Sequence, residues 1–285
     1  SNNALNQYAF SSLNTENFNP IGKSFGLTAA KTIKFGEQSK LSFFATASHS
    51  NDFSARNNGT AKGGVNGNGS LVNKNFHLYD QLSYNTNSTA MGNVGYKINS
   101  NHKVSFNTVF VNASSLSREE YHGYVADLIS DGDGFIRRNK YEQNRLTINQ
   151  LLSEHKFTER IQVKWGVSYN KINGDMPDRT QNVFKGSENG YLLSRISRPD
   201  NHRYYQNLVE DEYAANVLVD YKIGKNKDNE YLGKITLGYS GKDKLRNFEA
   251  TQFNLRPEGV GANVVVDPNN LDNFYNQTNF QSGLF

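Results

Sequence analysis

The chain contains no cysteine, so neither a disulfide framework nor a thiolate metal site can be built from it. Proline is scarce as well, with 5 residues among 285. Connections must therefore rely on Gly, Asn, Asp and Ser, the other residues that suit turns. No apolar run approaches the roughly 18 residues of a membrane-spanning helix. That excludes a helical span but not a β-barrel, whose strands carry a weaker signal of about 10 alternating residues each. Neither sign of charge dominates: 31 Lys and Arg face 27 Asp and Glu, a net charge of +4. No basic block stands out as a nucleic-acid footprint, and no nucleic-acid partner is expected. Helical periodicity is nearly missing; only Tyr121 to Ile129 suggests a turn or two of helix, inside a loop.

What is present is aromatic and alternating. Hydrophobic residues make up 36% and the mean hydropathy is -0.71, low for a globular chain of this length. Yet there are 16 Tyr and 18 Phe, which argues against disorder. Both facts suit a sheet with one wet face and long wet loops. Side chains on a strand point to opposite faces with period two. Rows that read this way are Phe25, Leu27, Ala29, Ile33 and Phe35, then Leu41, Phe43, Ala45 and Ala47. Ala90, Gly92, Val94, Tyr96 and Ile98 follow, then Val104, Phe106, Thr108 and Phe110, and next Leu146, Ile148 and Leu152. The last three are Ile161, Val163, Trp165, Val167 and Tyr169; Tyr213, Ala215, Val217, Val219, Tyr221 and Ile223; and Tyr231, Gly233, Ile235, Leu237 and Tyr239. Lys31 interrupts the first row and Gln150 the fifth. All these rows are expected to face the same way.

The connections come in two sizes by turns. Residues 36–40, 99–103, 154–159 and 224–230 are short and polar, as hairpin turns should be. Between them lie about 50–88, 114–140 and 173–211, longer than the roughly 15 residues that loops of compact soluble domains reach. Phe76 to Asn85 alternates weakly and is assigned to a loop to keep this order. In an up-and-down meander the order puts every short turn at one end, the layout of outer-membrane barrels. A β-sandwich with aromatics on its inward faces is the alternative. The fold expected is all-β: an antiparallel up-and-down transmembrane β-barrel, partial, with about eight strands of a larger barrel. Clear strands span about 25–255, while 1–24 and 256–285 read as loop-like. Tyr96, Tyr169, Tyr221, Tyr231 and Tyr239 fall near strand ends, where aromatic girdles sit. Lys31 counts against the barrel unless a bulge or a boundary position relieves it. With no initiator Met or signal peptide, and no strand to seal a seam, the chain is expected to be one arc of a larger barrel.

The motifs that tempt a chemical reading are incomplete. Asp131-Gly132-Asp133-Gly134 resembles part of a calcium loop but lacks a closing Glu at the right spacing, so whether Asp131 and Asp133 bind calcium stays open. Asp175 and Asp178 flank Met176-Pro177, which reads as a rigid loop rather than an acid–base pair. The six His residues (His49, His77, His102, His122, His155 and His202) show no metal spacing and are read as solvated. No nucleophile elbow or phosphate-binding glycine loop appears. Asn58, Asn68 and Asn112 begin glycosylation sequons, read as chance. No catalytic residue, metal ligand or cofactor is assigned, the ligand-binding residues stay unassigned, and no enzyme is expected.

Four stretches carry a resemblance. Asn170 to Arg179, Arg198 to Tyr205, Phe248 to Asn254 and Gly95 to Asn99 resemble the barrel of a TonB-dependent outer-membrane receptor of the Bacteroidetes type. The likeness covers most of Phe25 to Leu255 and rests on segment character rather than on a catalytic signature. The resemblance implies a large barrel filled by a plug domain. It further implies outer-membrane lipid around the barrel, and uptake of a scarce bulky ligand such as a small molecule or oligosaccharide, driven through the TonB protein. Neither plug nor TonB box is present in these residues, so gating and coupling are assigned to none of them. A passive porin-like barrel and a soluble surface β-protein that binds carbohydrate are the alternatives.

Overall fold

A computed structural model describes residues 21–62, 68–69, 74–125, 129 and 134–285. It is one antiparallel sheet. Its strands are β1 (Lys23–Phe35), β2 (Ser39–Lys62), β3 (Lys74–Lys97), β4 (His102–Val125), β5 (Gly134–Lys156), β6 (Ile161–Ser187), the short β7 (Gly190–Leu193), β8 (His202–Lys225) and β9 (Tyr231–Asn254). The order across the sheet is β1-β2-β3-β4-β5-β6-β8-β9, with β7 added at the end of β6. This is an up-and-down meander, and it is open: β1 and β9 do not pair.

Each short turn is closed by its own residues. Gly36 takes the positive φ of 68° that turns β1 into β2. The Asn99 side chain accepts from the backbone N–H groups of Asn101 and His102, at 2.8 and 3.0 Å. Thr158 accepts from Arg160 and Ile161 at 3.2 and 3.0 Å, and Asn226 from Asp228 and Glu230 at 3.0 and 2.8 Å. Side chains that bond their own backbone two residues on are what make Asn and Thr good turn residues.

Two expectations fail, and for one reason. Phe76 to Asn85 belongs to β3, and Tyr121 belongs to β4, which continues to Val125. Ile129 makes a bridge with Val125, not a helix. The stretches expected as long loops are largely the far halves of strands. Twenty-four residues at about 3.3 Å each give strands of about 80 Å, well over twice a hydrocarbon core of about 30 Å. In those far halves polar residues line both faces, so what alternation there is, as at Phe76 to Asn85, is weak. Bulges mark the change: register shifts occur near Arg56 and Gly59, between Phe76 and Leu78, between Tyr141 and Gln143, and between Met176 and Arg179. Pro177 sits in the last of these, inside β6 rather than in a loop, since a bulge is one of the few strand positions that tolerate proline.

The rows climb steadily across the sheet. Ile33 opposes Leu41, and the same line runs through Tyr96, Val104, Ser153, Trp165 and Val217 to Tyr239. Ile33 lies two residues from the turn end of β1 at Phe35, whereas Tyr239 lies eight from the turn end of β9 at Tyr231. A stagger of nearly one residue per strand is what tilted barrel strands require.

Apolar clusters covered by protein occur at the end away from the short turns. There the chain after β9 folds back in two 3₁₀ turns and the helix Gln277–Gln281. Leu255, Val266, Leu271, Phe274 and Tyr275 pack with Phe135, Phe184 and Leu193. On the opposite face Phe76, Val125, Ile129 and Val183 form a second cluster.

Candidate functional site

The half of the sheet nearest the short turns has two faces of opposite character. The register places Leu27, Ala45, Val94, Phe106, Val167, Val219 and Leu237 on one face. Thr32, Ser42, Asn93, Asn107, Gln150, Ser168 and Ser240 line the other. The apolar face is uncovered by any other element among the described residues. Even on interior strands, Phe106 is 42% exposed, Phe110 40% and Val167 46%. Scattered exposed apolar residues are ordinary, but a belt spanning eight strands is far beyond the few hundred Å² a soluble monomer leaves open.

Aromatics frame the belt at two levels. Tyr96 and Tyr231 lie within one residue of their turn ends, while Tyr169 and Tyr239 each lie eight residues in from theirs. Eight residues span about 26 Å along a strand, or about 20 Å upright at a tilt of about 40°, close to the ~25 Å apolar band of outer-membrane barrels. Tyr169 packs against Tyr213 with the rings tilted and their centroids 5.0 Å apart, and its hydroxyl donates to Asp211 at 2.6 Å. Tyr221, four residues from its turn end, falls between the levels.

Two strands, β5 and β1, break the pattern. Leu146, Ile148 and Leu152 do not share the belt: Phe110 opposes Thr147 and Phe106 opposes Leu151, so those three point to the polar face. A slip of one residue reverses every side chain of a strand, and the apolar spacing of β5 matches both faces. The polar groups this places in the belt satisfy each other. Thr108 donates to Asn149 at 3.0 Å, and Ser153 donates to the Lys103 carbonyl at 3.1 Å. Lys31 also stays on the apolar face beside Phe43, and the unbroken register of β1 with β2 contains no bulge to turn it away.

The candidate catalytic groups are occupied elsewhere. Asp175 accepts from Arg145 at 2.8 Å and from Asn207 at 2.6 Å. Asp178 is held by both arms of the buried Arg203, at 2.8 and 2.9 Å. Each carboxylate is thus neutralised by its own guanidinium, and the two do not form an acid–base pair. Asp131, Gly132 and Asp133 lie outside the described residues. Among those described, no three His, Asp or Glu gather as metal ligands. His residues are bonded rather than merely solvated. His49 Nδ1 lies 2.8 Å from Ser88 Oγ, and the Nδ1 atoms of His102 and His155 lie 3.0 Å apart across β4 and β5.

The far end carries ion pairs that the sequence did not announce. Glu120 meets Arg118, Arg137 and His122. Burial alone would raise its carboxyl, but the His122 hydrogen bond and the two guanidinium charges hold it well below the usual range. His202 is pushed down by burial, with Arg179 and Arg138 adding to the effect. Its Nδ1 is 2.8 Å from the Pro199 carbonyl and Arg179 reaches its Nε2 at 3.1 Å, the pattern of a neutral ring.

No family model, curated protein or solved structure matches the chain.

Proposed function

We propose that the chain is an arc of an outer-membrane receptor barrel, serving TonB-dependent uptake of a scarce, bulky ligand. One observation carries the membrane part: an uncovered apolar belt about nine residues tall, bounded by tyrosines, backed by a polar face and placed at the short-turn end. Hydrocarbon offers no hydrogen-bond partner, so a spanning sheet must pair its backbone between strands and turn apolar side chains outward. The belt does both. A soluble carbohydrate-binding sheet would need a second layer over those rows. The strands run on well past the belt, and their polar far halves, knit by the Glu120 and Asp178 ion pairs, give a rigid wall for an external ligand.

The receptor class is supported by the resemblance of Asn170 to Arg179 and of Arg198 to Tyr205. The geometry places these stretches in the far halves of β6 and β8 and the connection between them. The test is energy dependence. Cells making the intact protein are given labelled iron chelates, oligosaccharides and peptides, with and without collapse of the inner-membrane proton gradient. Uptake that stops on collapse, with binding retained, supports a TonB-driven receptor. Uptake that continues unchanged makes this a passive barrel.

A further inference from the structure

His102 opens β4, His155 lies one residue from the end of β5, and the register sets them directly opposite each other. They are 53 residues apart in the chain, so no local spacing announces them. Their side chains leave the sheet on the face of Val104 and Ser153, two residues nearer the turns. That puts the pair about 7 Å beyond the line through Tyr96, past the edge of the apolar belt. Both rings are half-buried, within reach of water.

The two Nδ1 atoms lie 3.0 Å apart, with ring centroids at 5.1 Å. Ser153 donates its one proton to the Lys103 carbonyl at 3.1 Å, so the 2.6 Å contact of its Oγ with His155 Nε2 takes its proton from the imidazole. This assignment leaves the neutral His155 ring a lone pair on Nδ1, facing His102. The proton between the rings then belongs to His102, and it leaves the gap when that ring takes its other tautomer. Phe157 packs against both rings, with centroids 5.9 Å from His102 and 5.8 Å from His155. The Lys156 N–H donates to the Asn101 carbonyl at 2.8 Å and the Asn99 side chain holds the His102 N–H, so the backbone under the pair is fixed as well.

Neutral imidazole nitrogens are the commonest metal ligands. With bonds of about 2.05 Å, two ligand nitrogens stand about 2.9 Å apart at a right angle and about 3.3 Å apart at the tetrahedral angle. The separation found here fits the right angle, the geometry of tetragonal copper(II) or nickel(II) rather than of zinc. Ser153 supplies the outer acceptor that a metal-bound imidazole needs on its other nitrogen.

We propose that His102 and His155 bind one divalent transition-metal ion through their Nδ1 atoms, copper(II) most tightly, with water in the remaining positions. The ion clasps the 98–101 turn to the 157–160 turn, across the boundary between β4 and β5. The site holds whichever medium meets the belt.

The test uses the full chain folded in detergent micelles and titrated with copper(II), nickel(II) or zinc(II) alone. Copper should bind one ion per chain, ahead of nickel and zinc, and its paramagnetic resonance spectrum should show a tetragonal centre coupled to two nitrogens. Affinity should fall about tenfold or more in His102→Gln and in His155→Gln, and about tenfold in Ser153→Ala, which frees the His155 ring to turn. His49→Gln should bind as the parent does. Copper should raise the melting temperature of the parent and slow amide exchange in both turns, and acid should reverse this because protons compete for the same nitrogens. Copper binding that both histidine variants retain, or zinc bound more tightly than copper, overturns the proposal. The spectrum of the unaltered chain decides even where a variant fails to fold: two coupled nitrogens support the site, and one or none overturns it.

Discussion

Phe106 and Ser105 are chain neighbours whose side chains leave opposite faces of β4. Phe106 lies four residues from the turn end at His102, halfway up the belt, while Val217 lies eight from Lys225, level with the upper tyrosines. Arginine on a lipid-facing barrel position costs about 2–4 kcal/mol at the midplane and about 0–1 near the boundary. Phe106→Arg should therefore destabilise strongly, Val217→Arg mildly and Ser105→Arg least, as read by denaturant unfolding in lipid. Equal costs at Phe106 and Ser105 would mean that the two faces meet the same medium. Lys31 stands at the level of Phe43 on the edge strand β1, with its side chain on the apolar face. At the far end acid should act in two steps. His202 is depressed below 6.5, so the unfolded chain takes the proton first and stability falls as pH drops through that value. Glu120 is depressed below 4.5; its contribution is complete above that value and is lost as pH falls further. Amide exchange around β6 and β8 should quicken in the upper range and around β4 and β5 in the lower, and Glu120→Gln should abolish the lower step.

At the scale of the strand, sidedness is the sharpest consequence. The turns 36–38, 98–101, 157–160 and 226–230 share one end, and the connections after β2, β4 and β6 share the other. A lysine reagent added to whole cells should modify Lys185 and spare Lys225 and Lys227; equal modification would invert or abolish the topology. The near halves were legible because a sheet with one apolar and one polar face leaves a period of two, as in Ile161 to Tyr169. The far halves were not, because Arg137, Asn139, Thr180 and Asn182 are polar yet buried, held by cross-strand partners that no local spacing reveals. β5 misled for another reason, since Leu146, Ile148 and Leu152 alternate on the polar face while Leu151 marks the belt. Lys34 opposes Lys40, Lys40 opposes Lys97 and Lys97 opposes Lys103 on the polar face, and this row did leave a trace: two six-residue steps across two short turns.

For the whole molecule, the open sheet leaves β1 and β9 each with one unpaired edge, costly in hydrocarbon and prone to pair with another chain. If the belt faces lipid as proposed, those edges must be paired by further strands, and a stagger of nearly one residue per strand suits a large barrel. The central claim, that the belt faces lipid, can be read from one residue. Trp165 is the single tryptophan of the chain, four residues from the turn end of β6 and on the apolar face between Ser153 and Val217. The full chain would be reconstituted into vesicles, where its edges can pair chain to chain, and its fluorescence challenged with bromine on the acyl chains and with aqueous acrylamide. Strong quenching by bromine near mid-chain and weak quenching by acrylamide are expected. Quenching by acrylamide with none by brominated lipid would place the belt in water or under protein, and would contradict it.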